Sequence, residues 1–297
     1  MTQRERGRLG APQEAPASTA VVTELTPAQR RWLRGPGQPP RAQRRRYGAT
    51  GHGYKIDGEK VIGVTTAIKG GLPSPALINW AAREVAEYAV DNLQPLSAMT
   101  RDAAYDLLCG AANRRRDFAA ARGKSVHELA RKMLAGEEVD VPEELRGHVE
   151  NYEKFHRQWR PVDVAVEAVV VNYTHRYAGT LDYLCELNGI PGLSLLDIKT
   201  KGRGAYGEDA LQLNAYASAE AIILEGLEYP MPEVDRAFVL WVRADGYDLL
   251  PVQMGPEVYR FFRCAQQVAV RKDMLSELID DALPPPAARP QLEVVSS

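Results

Sequence analysis

The feature that most constrains this chain is a change of period near residue 160. Before it, apolar residues recur at helical spacing. In ALINWAAREVAEYAVDNL, which follows Pro75, Leu77, Trp80, Ala81, Val85, Tyr88 and Ala89 share one helical face. After it, VDVAVEAVVVN (162–172), YAGTLDYLCEL (177–187) and LSLLDIKT (193–200) are β-branched or aliphatic runs, the last two separated by the turn NGIPG. Helices are expected again over 101–135 in two stretches, over 143–159, over EDALQLNAYASAEAIILEG (208–226) and over 257–281. The second stretch of 101–135 ends at Gly136, a helix C-cap. Two hairpins are expected, around Asp57-Gly58 and around Asp245-Gly246, where Asp-Gly supplies the tight turn. Helices, three strands, helix, two strands, helix is the order of an α/β domain: a central mixed β-sheet flanked by helices, with N-terminal helical additions.

The organisation expected from composition is a disordered basic arm over 1–46, one domain over 47–281 and a disordered, proline-rich tail over 282–297. Within the domain, 75–160 is the helical part and 120–281 the core that carries the site. In the arm, TPAQRRWLRG forms a helical turn, with Thr26 as cap and Pro27 at its first position. Residues 1–50 hold ten arginines against three glutamates, a balance of +7 within a net charge of −2, which leaves −9 for the rest. A basic arm on an acidic body is compatible with nucleic-acid binding, and equally with a solvated tail. No run reaches the roughly 18 apolar residues of a membrane span, and no apolar stretch follows the first arginines as in a secretory leader, so the cytoplasm is the expected location. Three cysteines, Cys109, Cys185 and Cys264, are odd in number and far apart. They read as buried free thiols rather than a disulfide framework or a zinc site.

The chemistry concentrates at the end of the third strand. Side chains alternate along a strand, so Asp197 and Lys199 point to one face while Leu196 and Ile198 point to the other. Alone, such a pair reads as an ordinary strand-end ion pair. Asp182, fifteen residues earlier in GTLDYL, is one strand and one tight turn away, close enough to lie beside Asp197. Two adjacent carboxylates repel unless a cation lies between them, and oxygen donors favour Mg2+ or Mn2+. A lysine beside that metal stabilises charge on a pentavalent phosphorus or helps to activate water. On the following helix, Gln212 and Tyr216 are four apart and share a face, either as phosphate or lysine partners or as the polar rim of a packing helix.

Taken in order, GTLDYL, LLDIKT and ALQLNAYA resemble the PD-(D/E)XK nuclease superfamily in its RecB-like branch, which reads G-x-x-D, then D-x-K-T, then Q-x-x-x-Y. The match covers about residues 120–220, and YKIDGEKVIGVTTAIKGGLPSPALINWAA is more loosely similar to the opening of phage-encoded exonucleases of that branch. The resemblance implies a restriction-endonuclease-like core. It implies Asp182, Asp197, Lys199, Gln212 and Tyr216 as site residues, and His127, in the G-x-x-x-H pattern of GKSVH, as a further metal residue. It also draws attention to Glu167, as a metal-site glutamate or a solvent-facing strand end. Related CRISPR-associated and helicase-linked nucleases hold an iron–sulfur cluster on four cysteines. With three cysteines here, no cluster is expected. No phosphate-binding loop of the G-x-x-x-x-G-K-[ST] type occurs, so no nucleotide is expected either.

The expected partner is DNA, with Arg114, Arg115, Arg116, Lys124, Lys201 and Arg203 as phosphate contacts and Arg44–Arg46 as an extension of the footprint. The implied activity is metal-dependent hydrolysis of DNA by an exonuclease acting on ends, in phage or prophage recombination or replication, alongside a recombination or single-strand-binding protein. An endonuclease or junction resolvase with the same site is the first alternative, and a non-catalytic DNA-binding or assembly module the second.

Overall fold

The computed structural model describes residues 24–47, 51–134, 137–200, 204–280 and 282. The first half of the chain holds α1 (Pro27–Trp32), β1 (Ala42–Tyr47), β2 (Gly51–Ile56), β3 (Glu59–Gly63), α2 (Val64–Gly71), α3 (Pro75–Asp91), α4 (Leu93–Ser97), α5 (Arg101–Leu134) and α6 (Glu143–Trp159). The second half holds β4 (Val162–Val166), β5 (Val169–Asn172), β6 (Tyr177–Thr180), β7 (Tyr183–Leu187), β8 (Ile190–Lys199), α7 (Gly207–Ala217), β9 (Ala221–Leu224), β10 (Leu227–Pro230), β11 (Arg236–Val242), β12 (Tyr247–Val252), α8 (Pro256–Arg271) and a 3-10 turn over Lys272–Leu278. No helix among these residues is long and apolar enough to cross a membrane.

The α/β architecture is as the sequence predicts, but the strands form two sheets rather than one. A seven-stranded sheet runs β1-β2-β3-β6-β5-β9-β10, and a five-stranded sheet runs β12-β11-β8-β7-β4. Each is mixed: β3 is parallel to β6, and β8 to β11, while the other pairs are antiparallel. The two sheets share one bent hairpin. The expected strand 162–172 is parted at Glu167, whose φ of +49° turns the chain. The expected strand 177–187 is parted at Leu181–Asp182. The breaks face each other: Glu167 N–H donates to the Asp182 carbonyl and Leu181 N–H to the Ala168 carbonyl, both at 2.9 Å. The arms therefore stay paired while they leave one sheet, as β5–β6, and enter the other, as β4–β7.

The five-stranded sheet is covered on both faces. Leu193, Leu195, Leu184, Ala237 and Val239 pack towards Leu213, Ala215 and Tyr216 of α7 and Phe262 of α8. Leu196, Ile198, Tyr183, Cys185, Phe238 and Leu240 pack towards Val149, Tyr152 and Phe155 of α6. The period-two reading of LSLLDIKT is thus reproduced in the packing.

Four local expectations need correction. Residues 101–134 form one helix rather than two, unbroken at Gly110. The helix begun at 207 stops at Ala217, because AIIL is a β-branched run that pairs with β10 through the turn Glu225-Gly226, both residues at positive φ. The final helix gives way to the 3-10 turn after Arg271. The expected basic arm is structured from residue 24. Thr26 and Gln29 form a reciprocal capping box, Gln29 Nε2 donates to the Val164 carbonyl at 3.1 Å, and Trp32 Nε1 donates to Glu186 Oε1 at 2.6 Å. The rest of that arm (1–23), Gly136 and the tail from 283 lie outside the described residues. Both Asp-Gly hairpins form where expected, as β2–β3 and β11–β12. Of the cysteines, only Cys185 is buried. Cys109 and Cys264 are exposed on the outward faces of α5 and α8, and all three are free.

Candidate active site

The register of β7 against β8 decides what meets at the site. Tyr183 pairs with Leu196, so one step further along both strands Asp182 stands opposite Asp197. Asp182 lies just beyond the end of β6, at the crease of the bent hairpin, and its Oδ2 accepts the Ile198 N–H at 2.8 Å. Asp197 is only 2% exposed, on the β8 face that looks towards α7. Its Oδ1 accepts a hydrogen bond from Gln212 Nε2 at 2.8 Å, and its Oδ2 is ion-paired with Lys199 Nζ.

Lys199 is held from a second side, with Asp209 Oδ1 at 3.6 Å from Nζ. Asp209 is buried and fixed in turn by the Tyr206 N–H, which donates to its Oδ2 at 2.8 Å at the start of α7. Asp209 is a site residue that the motif reading missed. The signal was present: an acid in the first turn of the helix that follows D-x-K, where carboxylates cap backbone N–H groups.

Tyr216 sits one helical turn after Gln212 on α7, with 4% of its surface exposed. Its ring lies directly over Gly179, where a Cβ would fall 2.3 Å from Tyr216 Cε1. That close approach explains the glycine of G-x-x-D: any side chain would push the α7 aromatic off β6. Beside it, Tyr54 Oη and Thr180 Oγ1 share a hydrogen bond of 2.9 Å.

The electrostatics are those of two close carboxyls that share a hydrogen bond, Asp197 buried and Asp182 half-buried. Burial first, and then the charge of Asp182, push the Asp197 carboxyl up to about 7, against the lowering influence of Lys199. The Asp182 carboxyl is also raised, chiefly by burial and further by the charge of Glu167, with Lys199 and the Ile198 N–H opposing. Burial lowers the Lys199 pKa, but Asp197, Asp209 and Asp182 together outweigh it, so the ammonium persists. Tyr216 is raised well above its ordinary value by burial and the nearby Tyr54, Asp182 and Asp197, and therefore stays a hydrogen-bond donor at neutral pH.

The structure thus brings together Asp182, Asp197, Lys199, Gln212 and Tyr216, with Asp209 added and Glu167 at the crease. Glu167 is exposed, and its backbone N–H is bonded to the Asp182 carbonyl. His127 lies within α5, but its side chain, like that of Lys124, is outside the described residues, as are Lys201 and Arg203 altogether. Arg114, Arg115 and Arg116 are exposed on α5, each with a partner in the protein. Arg114 Nη2 donates to the Leu107 carbonyl at 2.6 Å and its guanidinium overlies Tyr88. Arg115 reaches Glu84 at 3.5 Å, and Arg116 reaches Asp117 at 3.0 Å. At 1.5 Å per residue they lie roughly 18 Å along the helix from position 127.

Among the described residues no three His, Cys, Asp or Glu side chains form a ready-made metal cage. The buried Asp197 and half-buried Asp182, both with raised carboxyl pKa, nevertheless suit a hard divalent cation. Mg2+ commonly takes one or two carboxylates and completes its shell with water and phosphate oxygens. A cleft of about 360 Å³ between α1 and the 230–235 segment, lined by Arg31, Trp32 and Asp235, opens at the other end of β8. Gly192 on its wall is five residues from Asp197, roughly 16 Å along the strand.

No protein-family model matches the chain, and no curated protein matches it. Among solved structures it is similar to one described as "Crystal structure of SSO0001", at 13% identity and a TM-score of 0.26, over 51% of this chain and 69% of that one. A likeness of that degree carries no argument about fold or chemistry.

Proposed function

We propose that the protein is a metal-dependent deoxyribonuclease that hydrolyses phosphodiester bonds, with an exonuclease acting on DNA ends as the favoured form. The observation that carries this reading is the juxtaposition of half-buried Asp182 with buried Asp197, with Lys199 on the same face as Asp197 and Gln212 on the Asp197 oxygen. Holding two close acids and a lysine largely away from water costs stability, which a structural role alone does not repay. Order, spacing and geometry also agree with the RecB-like motifs.

In this reading Asp182 and Asp197 hold Mg2+ or Mn2+. When bound, the ion polarises the phosphodiester and lowers the pKa of water. Each of the chain's own residues has a separate task. Gln212 fixes the rotamer of Asp197 by donating to Oδ1. Lys199, released from the Asp197 carboxylate when that oxygen is otherwise engaged, keeps its proton and offsets the negative charge that builds on phosphorus. Asp209 holds the ammonium within reach. Tyr216, protonated, donates to a non-bridging phosphate oxygen or to Asp182.

The test is incubation of the purified protein with end-labelled linear duplex, single strands and covalently closed circles, in Mg2+, Mn2+ or EDTA, beside Asp197→Ala. Metal-dependent loss of linear DNA alone, abolished in the variant, supports the exonuclease. Cutting of circles moves the reading to an endonuclease or resolvase. Binding without cutting in any metal refutes the catalytic reading and leaves a DNA-binding or assembly module.

A further inference from the structure

The seven-stranded sheet ends in an arginine-bearing edge strand, β1, three strands from the β6 strand that leads into Asp182. Among the described residues β1 is bonded only to β2, and Arg44 pairs with Tyr54 across that ladder. Directly opposed residues of an antiparallel pair project from the same face, with Cβ atoms about 5 Å apart. Tyr54 is buried and its hydroxyl meets Thr180 Oγ1 at 2.9 Å, and Thr180 is two residues from Asp182. A path of one cross-strand pair and one hydrogen bond therefore joins Arg44 to the strand end that carries the acid.

Arg44 is also unspent, unlike several other arginines of the chain. Arg41 is paired with Asp57 at 2.6 Å, Arg176 with Glu59 at 2.6 Å and Arg31 with Glu186 at 2.8 Å. Arg44 is exposed and has no ion pair or hydrogen bond among the described residues. Arg45, one residue on, projects from the other face, and its Nη2 donates to Gln43 at 2.8 Å. Burial raises the Tyr54 pKa, and the charge of Arg44 opposes it, as expected of a guanidinium near that hydroxyl.

We infer that Arg44 is a phosphate contact on the rim of the site, which seats the backbone of a DNA strand so that the next phosphodiester lies over Asp182 and Asp197. A planar guanidinium with no internal carboxylate suits that task, since it can grip two phosphate oxygens at once. The inference rests on the nuclease reading above.

The experiment measures binding of labelled duplex and oligo-dT by fluorescence anisotropy as a function of salt, in an Asp197→Asn background with EDTA so that nothing is cut. Arg44→Gln, Arg44→Lys and Arg45→Gln are compared with the parent. Losing one phosphate contact lowers the slope of log K against log salt by about 0.9 on duplex and about 0.7 on single strands. Between about 50 and 200 mM salt, Arg44→Gln should then lose about 3.5-fold less duplex affinity than the parent. Arg44→Lys should keep the parental slope, and so should Arg45→Gln, because its charge lies on the other face. An unchanged slope in Arg44→Gln, or an equal loss in Arg45→Gln, overturns the inference while leaving the nuclease reading intact. Failure of the parent to bind either DNA at low salt, together with failure of the wild type to cut, overturns both.

Discussion

Asp197 gives up its proton only against resistance, and that resistance should be visible as a stability profile. The perturbation is Asp197→Asn, compared with wild type across pH in the presence of EDTA. Burial and Asp182 lift the Asp197 carboxyl from 3.8 to about 7. The folded state therefore holds this proton more tightly than the unfolded chain does. Its contribution to stability is complete below the unfolded value and is lost as pH rises through the folded one. A shift of roughly three units corresponds to about 4 kcal/mol, of which about 3 should disappear between roughly pH 5 and pH 8. Asparagine keeps the shape and has no proton to lose. Urea unfolding at intervals across that window should give a wild-type stability that falls towards high pH relative to the variant. Mn2+ should restore the wild type most at the upper end, where the carboxylate is ionised, and leave the variant nearly unmoved. Parallel profiles for the two proteins in EDTA would refute the claim that Asp197 is a strained acid.

Three further outcomes follow from the packing. Gly179→Ala places a Cβ 2.3 Å from Tyr216 Cε1, and should cost about 1–3 kcal/mol in chemical denaturation as an overpacked core does; unaltered stability would contradict the close approach. Asp209→Asn keeps an acceptor for the Tyr206 N–H but removes the second charge beside the largely buried Lys199, which Asp197 still pairs, so stability should fall by about 1–3 kcal/mol. DNA cleavage by that variant should fall several-fold in kcat with KM little moved, and wild-type turnover would reduce Asp209 to a helix cap. Gln212→Glu sets a new acid at the oxygen where a donor stood 2.8 Å from Asp197, so the acidic limb of the cleavage pH profile should move upward, and an unmoved limb would remove Gln212 from the site.

The face-by-face placement of the site was legible in the sequence because it depends on short-range geometry. Alternation put Asp197 and Lys199 on one side and sent Leu196 and Ile198 towards α6, and four-residue spacing aligned Gln212 with Tyr216. The division into two sheets was not legible. Nothing in VDVAVEAVVVN distinguishes a long straight strand from two short ones except Glu167, and a non-glycine residue at positive φ has no compositional signature. The same holds where AIIL leaves the α7 helix: alanine-rich helix runs into β-branched strand without a proline or glycine between them, and only the partner strand decides the boundary. The structured part of the expected arm was not legible for a related reason. Its arginines read as a solvated run, whereas the contacts that order it come from Gln29 and Trp32, whose partners Val164 and Glu186 lie more than a hundred residues away, and from Ala28 and Leu33, which enter the main core.

The bent hairpin has a mechanical meaning. One covalent ribbon belongs to both sheets, and the line through Glu167 and Asp182 is the crease at which it passes from one to the other. Asp182 sits on that line and Asp197 one strand, about 5 Å, from it, whereas the β1 rim stands three strands beyond β6, about 14 Å out. A change of angle at that crease would leave the spacing of the two acids nearly unaltered and displace the rim roughly three times as far as a point one strand away, so the acids lie where the fold is least sensitive to how its two sheets are set.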